Sequence, residues 1–320
     1  LMAASIIIMF LDELIQKGWG LGSGISLFIM AGVAQQILWS MFSPLPAGDG
    51  GMIGIIPYLI ESLTGSGDLG NVLFRSNQLP SIFGLFLTAG ILLILVFTQG
   101  MKIEIPIVST KYRGFQAVYP IKLMYVSNIP VILASALTAN AVFVFQMIWS
   151  NFNPRNNNFF VNFIAQFDPT SPSTPIGGII YYVTPPRGLD VAALDPMRAV
   201  GYVLFMIGIV VVFGRLWVEL GGLSPKSAAQ NLLDADVQIP GFRRSNKPVE
   251  ALLNKYIPSV TIIGSMILGL LAGVSDVLGV FGSGIGILLM VDILINYYTQ
   301  LVREQVEVVM PRLGAILGRK

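Results

Sequence analysis

The chain has 320 residues, of which 54% are hydrophobic and only 11% are charged, and its mean hydropathy is +0.75. Soluble domains carry about 25% charged residues, so this composition excludes an ordinary soluble protein and indicates a membrane protein. The sequence contains neither cysteine nor histidine, which excludes disulfides, thiolate chemistry, haem, iron–sulfur clusters and nearly all zinc sites, and removes the commonest general base. We therefore expect no metal and no cofactor.

The charge-free stretches have the length of membrane helices, which need roughly 20 apolar residues each. They predict a half helix at the beginning of the chain and six spans after it, and hence an all-α polytopic membrane protein. Because the first apolar run is too short to span and no initiator methionine stands at position 1, we expect an N-terminal part to be missing from the sequence. The spans are predicted at 21–42, 79–99, 119–147, 197–215, 257–275 and 283–302.

Lysine and arginine are distributed unevenly between the two sides that these spans define. Fifteen of the 19 lie at Lys17, in the segments 100–122 and 215–256 and in the C-terminal tail, which together we call the basic side. Only four lie on the opposite side. Cytoplasmic segments of membrane proteins are enriched in cations, so the basic side, including the C-terminus, is predicted to be cytoplasmic.

The loops differ in character between the two sides. The external loops, 43–78 and 150–196, are rich in residues that favour turns and extended strands over helices. On the basic side, the stretch IEIPIV in loop 100–122 is strand-like. In loop 219–256, Ser224 at the N-cap and Pro225 at the first helical position predict a short capped helix.

Two of the predicted spans begin with nearly the same glycine-rich letters. GSGISLFIM at 22–30 and GSGIGILLM at 282–290 match at five of nine positions. The glycines do not fit a dinucleotide fingerprint or a Walker motif, and small residues alone would suit close helix packing. The predicted topology runs the two helices in opposite directions, which is typical of an inverted repeat with a pathway between its halves. Ile25 and Ile29 lie on one face of the first helix.

Longer stretches of the sequence resemble a known family. LDELIQKGWGLGSGISLFIMAGV, YPIKLMYVSNIPVILASAL, GRLWVELGGLSPKSAA and IPGFRRSNKPVEALLNKYIP closely resemble the SecY-type protein-translocation channel in its archaeal-like form. That family has ten spans in two pseudo-symmetric halves, so the resemblance implies a SecY-type inverted-repeat helical bundle. Residues 1–42 would be the end of the first half, with part of the fourth span and the fifth. Residues 43–78 would be an external loop, and 79–320 the second half, with the sixth to tenth spans.

The resemblance implies the central pore-forming subunit of the general protein-secretion translocon. Such a subunit passes unfolded polypeptides across the membrane and releases apolar segments sideways into lipid. An apolar ring at the waist of the channel offers no ligand to a hydrated ion and gates by dewetting. For each ring residue the alternative is ordinary packing against lipid or another helix. By motif position the ring residues are Ile25, Ile29, Ile132 and Leu289.

The lateral gate of the family would be formed here by the spans at 119–147 and 197–215. Asn128 and Pro130 are predicted inside the first of these spans and are assigned to the gate. A polar residue inside a span is costly and often functional, and a proline loosens the helix around it. A hydrogen bond from Asn128 to a neighbouring helix is the alternative.

The cations of the basic loops are implied to dock the ribosome and the targeting or motor factors. Arginine and lysine suit the phosphates of RNA, although cytoplasmic loops are basic for topological reasons as well. The other partners implied are SecE-type and small beta-type single-span subunits, nascent or unfolded secretory polypeptides and membrane lipid, at the plasma membrane. The docking residues are Lys111, Arg113, Arg243, Arg244 and Lys247.

Two other classes of function are weaker alternatives. A secondary transporter built on an inverted repeat should bring ionisable residues together near mid-membrane, and only Asp292 qualifies. An intramembrane enzyme would need a nucleophile with a base or two facing acids, so we expect no enzyme. The role of Asp292 is left open.

Overall fold

The structure is a computed structural model, which describes residues 2–19, 23–47, 51–64, 72–75, 79–109, 116–171, 174–234, 237–238 and 246–309. Its helices are α1 (Met2–Trp19), α2 (Gly24–Phe42), α3 (Ile55–Leu63), α4 (Ile82–Gly100), α5 (Ile129–Phe152), α6 (Phe159–Ile164), α7 (Ile179–Val183), α8 (Leu189–Leu194), α9 (Pro196–Leu220), α10 (Pro225–Asp234), α11 (Asn246–Val277) and α12 (Gly284–Val309). Its strands are β1 (Lys102–Ser109), β2 (Gln116–Lys122), β3 (Gln166–Phe167), β4 (Pro175–Gly177) and β5 (Val237–Gln238).

Within the described part of the chain, six helices are long and apolar enough to cross a membrane. They include α2, α4, α5, α9, α11 and α12, which confirms the six predicted spans and the helical membrane fold. The third span begins later than predicted, at Ile129 rather than at 119, because β2 occupies 116–122 and turns occupy 123–128. The protein is a multi-pass membrane protein.

The chain divides into two compact units. The first unit contains Leu1–Arg75, Leu79–Leu85 and Phe281–Lys320, and the second contains Ser76–Gln78 and Phe86–Val280. The last helix therefore packs in the same unit as α1 and α2, although the repeat assigns it to the second sequence half. The contacts do not test the division into two pseudo-symmetric halves, which was based on the sequence repeat and stays a prediction.

In the first unit, an arginine holds the external loop together. Arg75 is only 7% exposed, and its guanidinium donates to the carbonyl oxygens of Met52 and Ile53 and lies 3.9 Å from the centre of the Tyr58 ring. A buried cation needs such partners to offset its desolvation. Around it, Ile55, Tyr58, Val72 and Phe281 form a small apolar core.

In the second unit, α11 is the central helix and glycines set its spacing from its neighbours. A Cβ atom added at Gly269 would lie 2.8 Å from the Cα of Ile207 in α9, and one at Gly264 would lie 2.3 Å from the carbonyl oxygen of Leu123. The backbones thus approach as closely as the absence of side chains allows, which is the packing typical of membrane helices.

Gly269→Ala is expected to lower the stability of the second unit by about 1–3 kcal/mol, the usual cost of overpacking a close contact. The matched control is Gly208→Ala in α9, because no atom lies within 4 Å of a Cβ atom added there. Alanine is the better helix former, so the control should be neutral or slightly stabilising. Thermal unfolding of the detergent-solubilised protein measures both, and equal melting temperatures for the two variants would contradict the close packing.

On the basic side, both predicted loops fold into one layer. The three-stranded antiparallel sheet has the order β2-β1-β5, and β5 pairs with the last two residues of β1. Its core joins Ile105 and Ile121 of the sheet to Ala229 of α10 and Leu253 of α11, all of them buried. The strand-like stretch IEIPIV and the short helix after Ser224 are confirmed, and the Ser224 Oγ caps that helix by accepting from the Ser227 N–H at 3.3 Å.

The external loop 150–196 contains helices where the sequence predicted turns and strands. The strands β3 and β4 do pair, but α6, α7 and α8 are helical, so this part of the prediction was wrong. The reason lies in the asparagines, which act as caps instead of breaking the chain into turns. Asn158, for example, accepts from the backbone N–H of Phe160 at the start of α6.

Candidate functional site

The two repeated glycine-rich segments start their helices in the same way. The Ser23 Oγ accepts from the Ser26 N–H at the start of α2, and the Ser283 Oγ accepts from the Gly286 N–H at the start of α12. In each case the serine between the glycines is the N-cap, and its carbonyl accepts the first helical hydrogen bond, from Leu27 and Ile287 respectively. The sequence repeat is therefore also a repeat in local structure.

The two repeat helices pack against each other in opposite directions. At one end, Cβ atoms added at Gly282 and Gly286 would lie 3.1 Å and 3.2 Å from the side chains of Ile37 and Val33. At the other end, the Tyr297 hydroxyl donates to the carbonyl oxygen of Ser23. The start of α12 thus lies beside the C-terminal part of α2, and the start of α2 lies beside the later part of α12. This confirms that the two helices run in opposite directions, as predicted.

The predicted ring residues of this unit lie at similar heights on the two helices. Ile29 lies about 9 Å along the axis from Ser23, and Leu289 lies about 12 Å from Tyr297, at 1.5 Å per residue. Because the Tyr297 hydroxyl meets Ser23, the two residues differ in height by only about 3 Å.

The residues Ile25, Ile29, Val33 and Ile37 share one face of α2, since they recur every fourth position. This face changes along its length. Val33 and Ile37 are half-buried against α12, whereas Ile25 and Ile29 are each 42% exposed. Leu289 is half-buried. The structure therefore supplies an apolar surface that starts at the basic end of α2 and lies open there.

An aspartate joins α1 to the start of α2. The Asp12 carboxylate accepts from the Ser23 hydroxyl at 2.9 Å and from the Ile25 backbone N–H at 3.0 Å. The hydrogen bond from Ile25, with smaller contributions from Ser23 and Gln16, holds the pKa of Asp12 below its ordinary value. A negative charge at the N-terminus of a helix is favourable. Asp12 and Tyr297 together fix the start of the helix that carries Ile25 and Ile29.

No local pattern in the sequence predicts this arrangement. Ser23 could have been identified as a cap from its recurrence as Ser283 between glycines. The contact of Tyr297 could not, because it joins helices that are far apart in the chain, and that of Asp12 depends on how α1 and α2 pack. Asp292 lies half-buried in α12, and its role stays open.

In the second unit, the predicted gate residues lie at the end of a helix. Asn128 is the N-cap of α5, 2% exposed, and Pro130 occupies the first turn. The predicted placement of Asn128 inside the span was therefore wrong, because Asn128 lies just before it, whereas Pro130 does lie inside, at its beginning. A proline in the first turn costs no helical hydrogen bond, so it does not loosen the helix as expected. Ile132 follows in the same turn and is 40% exposed.

The predicted docking residues fall mostly outside the described residues. Lys111, Arg113, Arg243 and Arg244 belong to the segments 110–115 and 239–245, which the structure does not describe. Their anchor points are described. Segment 110–115 joins β1 to β2, and segment 239–245 follows β5 directly, so both leave the same three-stranded sheet. Lys247 is exposed in the first turn of α11.

Comparison with known proteins gives the family of this chain. The family model for SecY matches residues 1–298. The chain belongs to the SecY family.

Curated relatives and solved structures agree with this membership. The chain is 40% identical to the protein translocase subunit SecY of Pyrococcus furiosus, over 98% of its own length and 66% of that protein's. It is 41% identical to the corresponding subunit of Pyrococcus horikoshii, over 96% and 65%. The chain thus spans about two thirds of the length of these relatives.

Among solved structures, a SecY translocation channel described with its plug domain and closed state matches with a TM-score of 0.74 at 35% identity. That match covers 96% of this chain and 65% of the other. Sec61 in a canine ribosome–channel complex from the endoplasmic reticulum matches with a TM-score of 0.70 at 33% identity, covering 96% and 64%. The fold of the chain is therefore that of the SecY and Sec61 channels.

Proposed function

We propose that this chain is the pore-forming subunit of a protein-secretion translocon in the plasma membrane, with its C-terminus in the cytoplasm. It passes unfolded polypeptides across the membrane and releases apolar segments sideways into lipid. The observation that carries the proposal is the antiparallel pair α2 and α12, which bears Ile29 and Leu289 at similar heights in a member of the SecY family. The cation distribution supports the orientation.

The open part of α2 is compatible with the ring assignment. An exposed apolar stripe suits lipid as well as a pore, and the position of Ile25 and Ile29 in the family motif favours the pore. With Leu289, and with Ile132 from the second unit, they would form an aliphatic constriction. Such a constriction makes no specific hydrogen bond, so it accommodates peptides of any sequence and excludes hydrated ions.

The role proposed for Asn128 and Pro130 is confined to one end of the lateral gate. Asn128 and Pro130, at the start of α5, would act at the basic end of the lateral gate rather than at its middle. There Asn128, buried and polar, would set how readily the end of α5 separates from its neighbours. Its buried position at a helix end supports this role.

The docking assignment rests on the three-stranded sheet. Two basic segments are connected to this one small sheet, and their cations suit a polyanionic partner such as ribosomal RNA. Sec61 in the canine ribosome–channel complex supports a ribosome as that partner. Targeting or motor factors would use the same surface, and SecE-type and small beta-type single-span subunits would complete the assembly.

The alternative of a secondary transporter has less support. It needs ionisable groups that converge near mid-membrane. The sequence offers Asp292 alone for such a site. No observation favours an enzyme over a channel.

A photocrosslinking residue in place of Ile29 is expected to capture a translocating polypeptide in the assembled complex. The matched control is the same replacement at Leu38, which is 55% exposed on α2 and lies nine positions on, about half a turn round the helix. Leu38 should capture lipid and no polypeptide. Active translocation with capture at Leu38 and none at Ile29 would contradict the ring. Uptake of small solutes without any polypeptide transport would favour the transporter.

A further inference from the structure

A cluster of phenylalanines lies exposed on the side opposite the basic side, outside all six spans. Phe159, Phe160 and Phe163 of α6 are 77%, 80% and 65% exposed. Single exposed apolar residues are common on proteins, but contiguous ones mark a surface that contacts something else. Three large aromatic side chains within five residues therefore indicate an interaction surface.

An apolar cleft lies beside these phenylalanines, between α6 and α7. Its volume is about 430 Å³, and no charged side chain lines it. Gly178, with φ of +78°, brings the start of α7 so close that a Cβ atom there would lie 2.7 Å from the backbone of Ile164. The cleft is therefore fixed by a backbone contact. It is lined by Phe159, Asn162, Phe163, Gly178, Ile179 and Tyr182.

A tryptophan in the last turn of α5 holds this surface against the end of that helix. Trp149 is 3% exposed, its ring centre lies 5.6 Å from that of Phe167, and its Nε1 donates to Asn156 at 2.6 Å. The segment after α5 thus folds back on the end of the span instead of extending into the aqueous medium. Its two short helices therefore lie beside the end of the span.

A network of asparagine side chains holds α6 in this position. The Asn153 amide donates to the Asn162 side-chain oxygen at 2.7 Å, and the Asn162 amide donates to the carbonyl oxygen of Asn156 at 2.7 Å. The Asn156 amide in turn donates to the carbonyl oxygen of Phe167. Hydrogen-bonded amides of this kind are satisfied without water, so they suit an environment that is only partly aqueous.

We infer that the phenylalanine face of α6 and the cleft beside it are immersed in the lipid leaflet opposite the basic side, with a lipid acyl chain in the cleft. The surface continues the exposed apolar side of α5, a membrane span, through Met147 and Phe152, which are 51% and 75% exposed. Residues 156–167 and 169–186 contain no charged side chain. Tyrosine and tryptophan concentrate at the membrane interface, and Tyr182 lines the cleft. The inference needs only a membrane protein and holds whatever the chain transports.

The absence of cysteine from this sequence makes the test simple. Phe160→Cys, Phe163→Cys and Ile179→Cys variants carry a nitroxide label in the assembled complex, in phosphatidylcholine–phosphatidylglycerol vesicles. Two further variants calibrate depth, Phe143→Cys within α5 for lipid and Thr170→Cys in the polar turn for water. The measurement is the collision rate of each label with oxygen, which concentrates in lipid, and with a water-soluble nickel chelate.

We expect oxygen-to-nickel collision ratios at positions 160, 163 and 179 that are several-fold above the ratio at position 170 and below that at 143, which lies deeper in the span. A ratio equal to that at 170 would place the surface in water and overturn the inference. Protection from both reagents would mean that a second protein or a second copy covers it, which overturns it as well. Because the three replaced side chains are exposed, the fold should tolerate them, and agreement among them excludes a local distortion at any one.

Discussion

Ile29→Asp is expected to raise the ion leak through the resting channel by about tenfold or more, the change in rate that a barrier lower by about 1.4 kcal/mol produces. The physical reason is hydration. A narrow apolar constriction excludes ions because water leaves it, and a carboxylate retains water and attracts cations. The leak is measured as conductance of the assembled channel in planar bilayers, without a translocating polypeptide.

The control for this prediction is Ile29→Leu, which conserves volume and apolar character and should keep the seal. Leu289→Asp should leak like Ile29→Asp, since the two residues lie at similar heights on paired helices. A tight seal in both aspartate variants, with normal translocation, would show that neither residue lines the constriction. A leak from Ile29→Asp alone would remove Leu289 from the ring.

The double variant Arg243→Glu with Arg244→Glu is expected to weaken ribosome binding by about tenfold or more. A hydrogen bond to a charged group contributes about 1.5–3 kcal/mol, and 1.4 kcal/mol is tenfold in affinity. Loss of two phosphate contacts should also flatten the salt dependence, by about 0.7–0.9 per contact in the log–log slope. Co-sedimentation of ribosomes with the reconstituted complex, at several salt concentrations, measures both.

The matched control is the double variant Lys226→Glu with Lys255→Glu. Both lysines are exposed on the basic side, so the variant changes the net charge by the same amount without touching segment 239–245. It should bind ribosomes nearly normally, and both double variants should insert into the membrane. Equal loss of binding in the two would mean that overall charge, rather than the predicted docking turn, attracts the ribosome.

Much of the fold could be predicted because its signals are local. The apolar stretches give the spans, and the cations give a direction to each of them. The repeated serine between glycines starts α2 and α12 in the same way. Even the short helix after Ser224 was predictable, since its cap and its first residue are adjacent in the chain.

The site was less predictable where it depends on distant partners. Asn128 was expected inside a span because the predicted span 119–147 includes it, but the end of β2 and a turn occupy the first part of that range. The external loop was expected to lack helices because asparagine favours turns. Its asparagine side chains instead form hydrogen bonds with one another and with the backbone. No local sequence pattern predicts these hydrogen bonds.

The sequence by itself determined that this protein lies in a membrane, with six spans and a basic side, and that two of its helices repeat in opposite directions. These properties depend on runs of apolar residues and on charge counts, which are read along the chain. Only the tertiary structure decided that Asp12 and Tyr297 fix the start of α2, that β5 joins β1 across the second unit, and that α6 folds back onto Trp149. Each of these contacts joins groups by geometry rather than by spacing in the sequence. It forms only once the packed helices have brought its two partners within hydrogen-bonding distance.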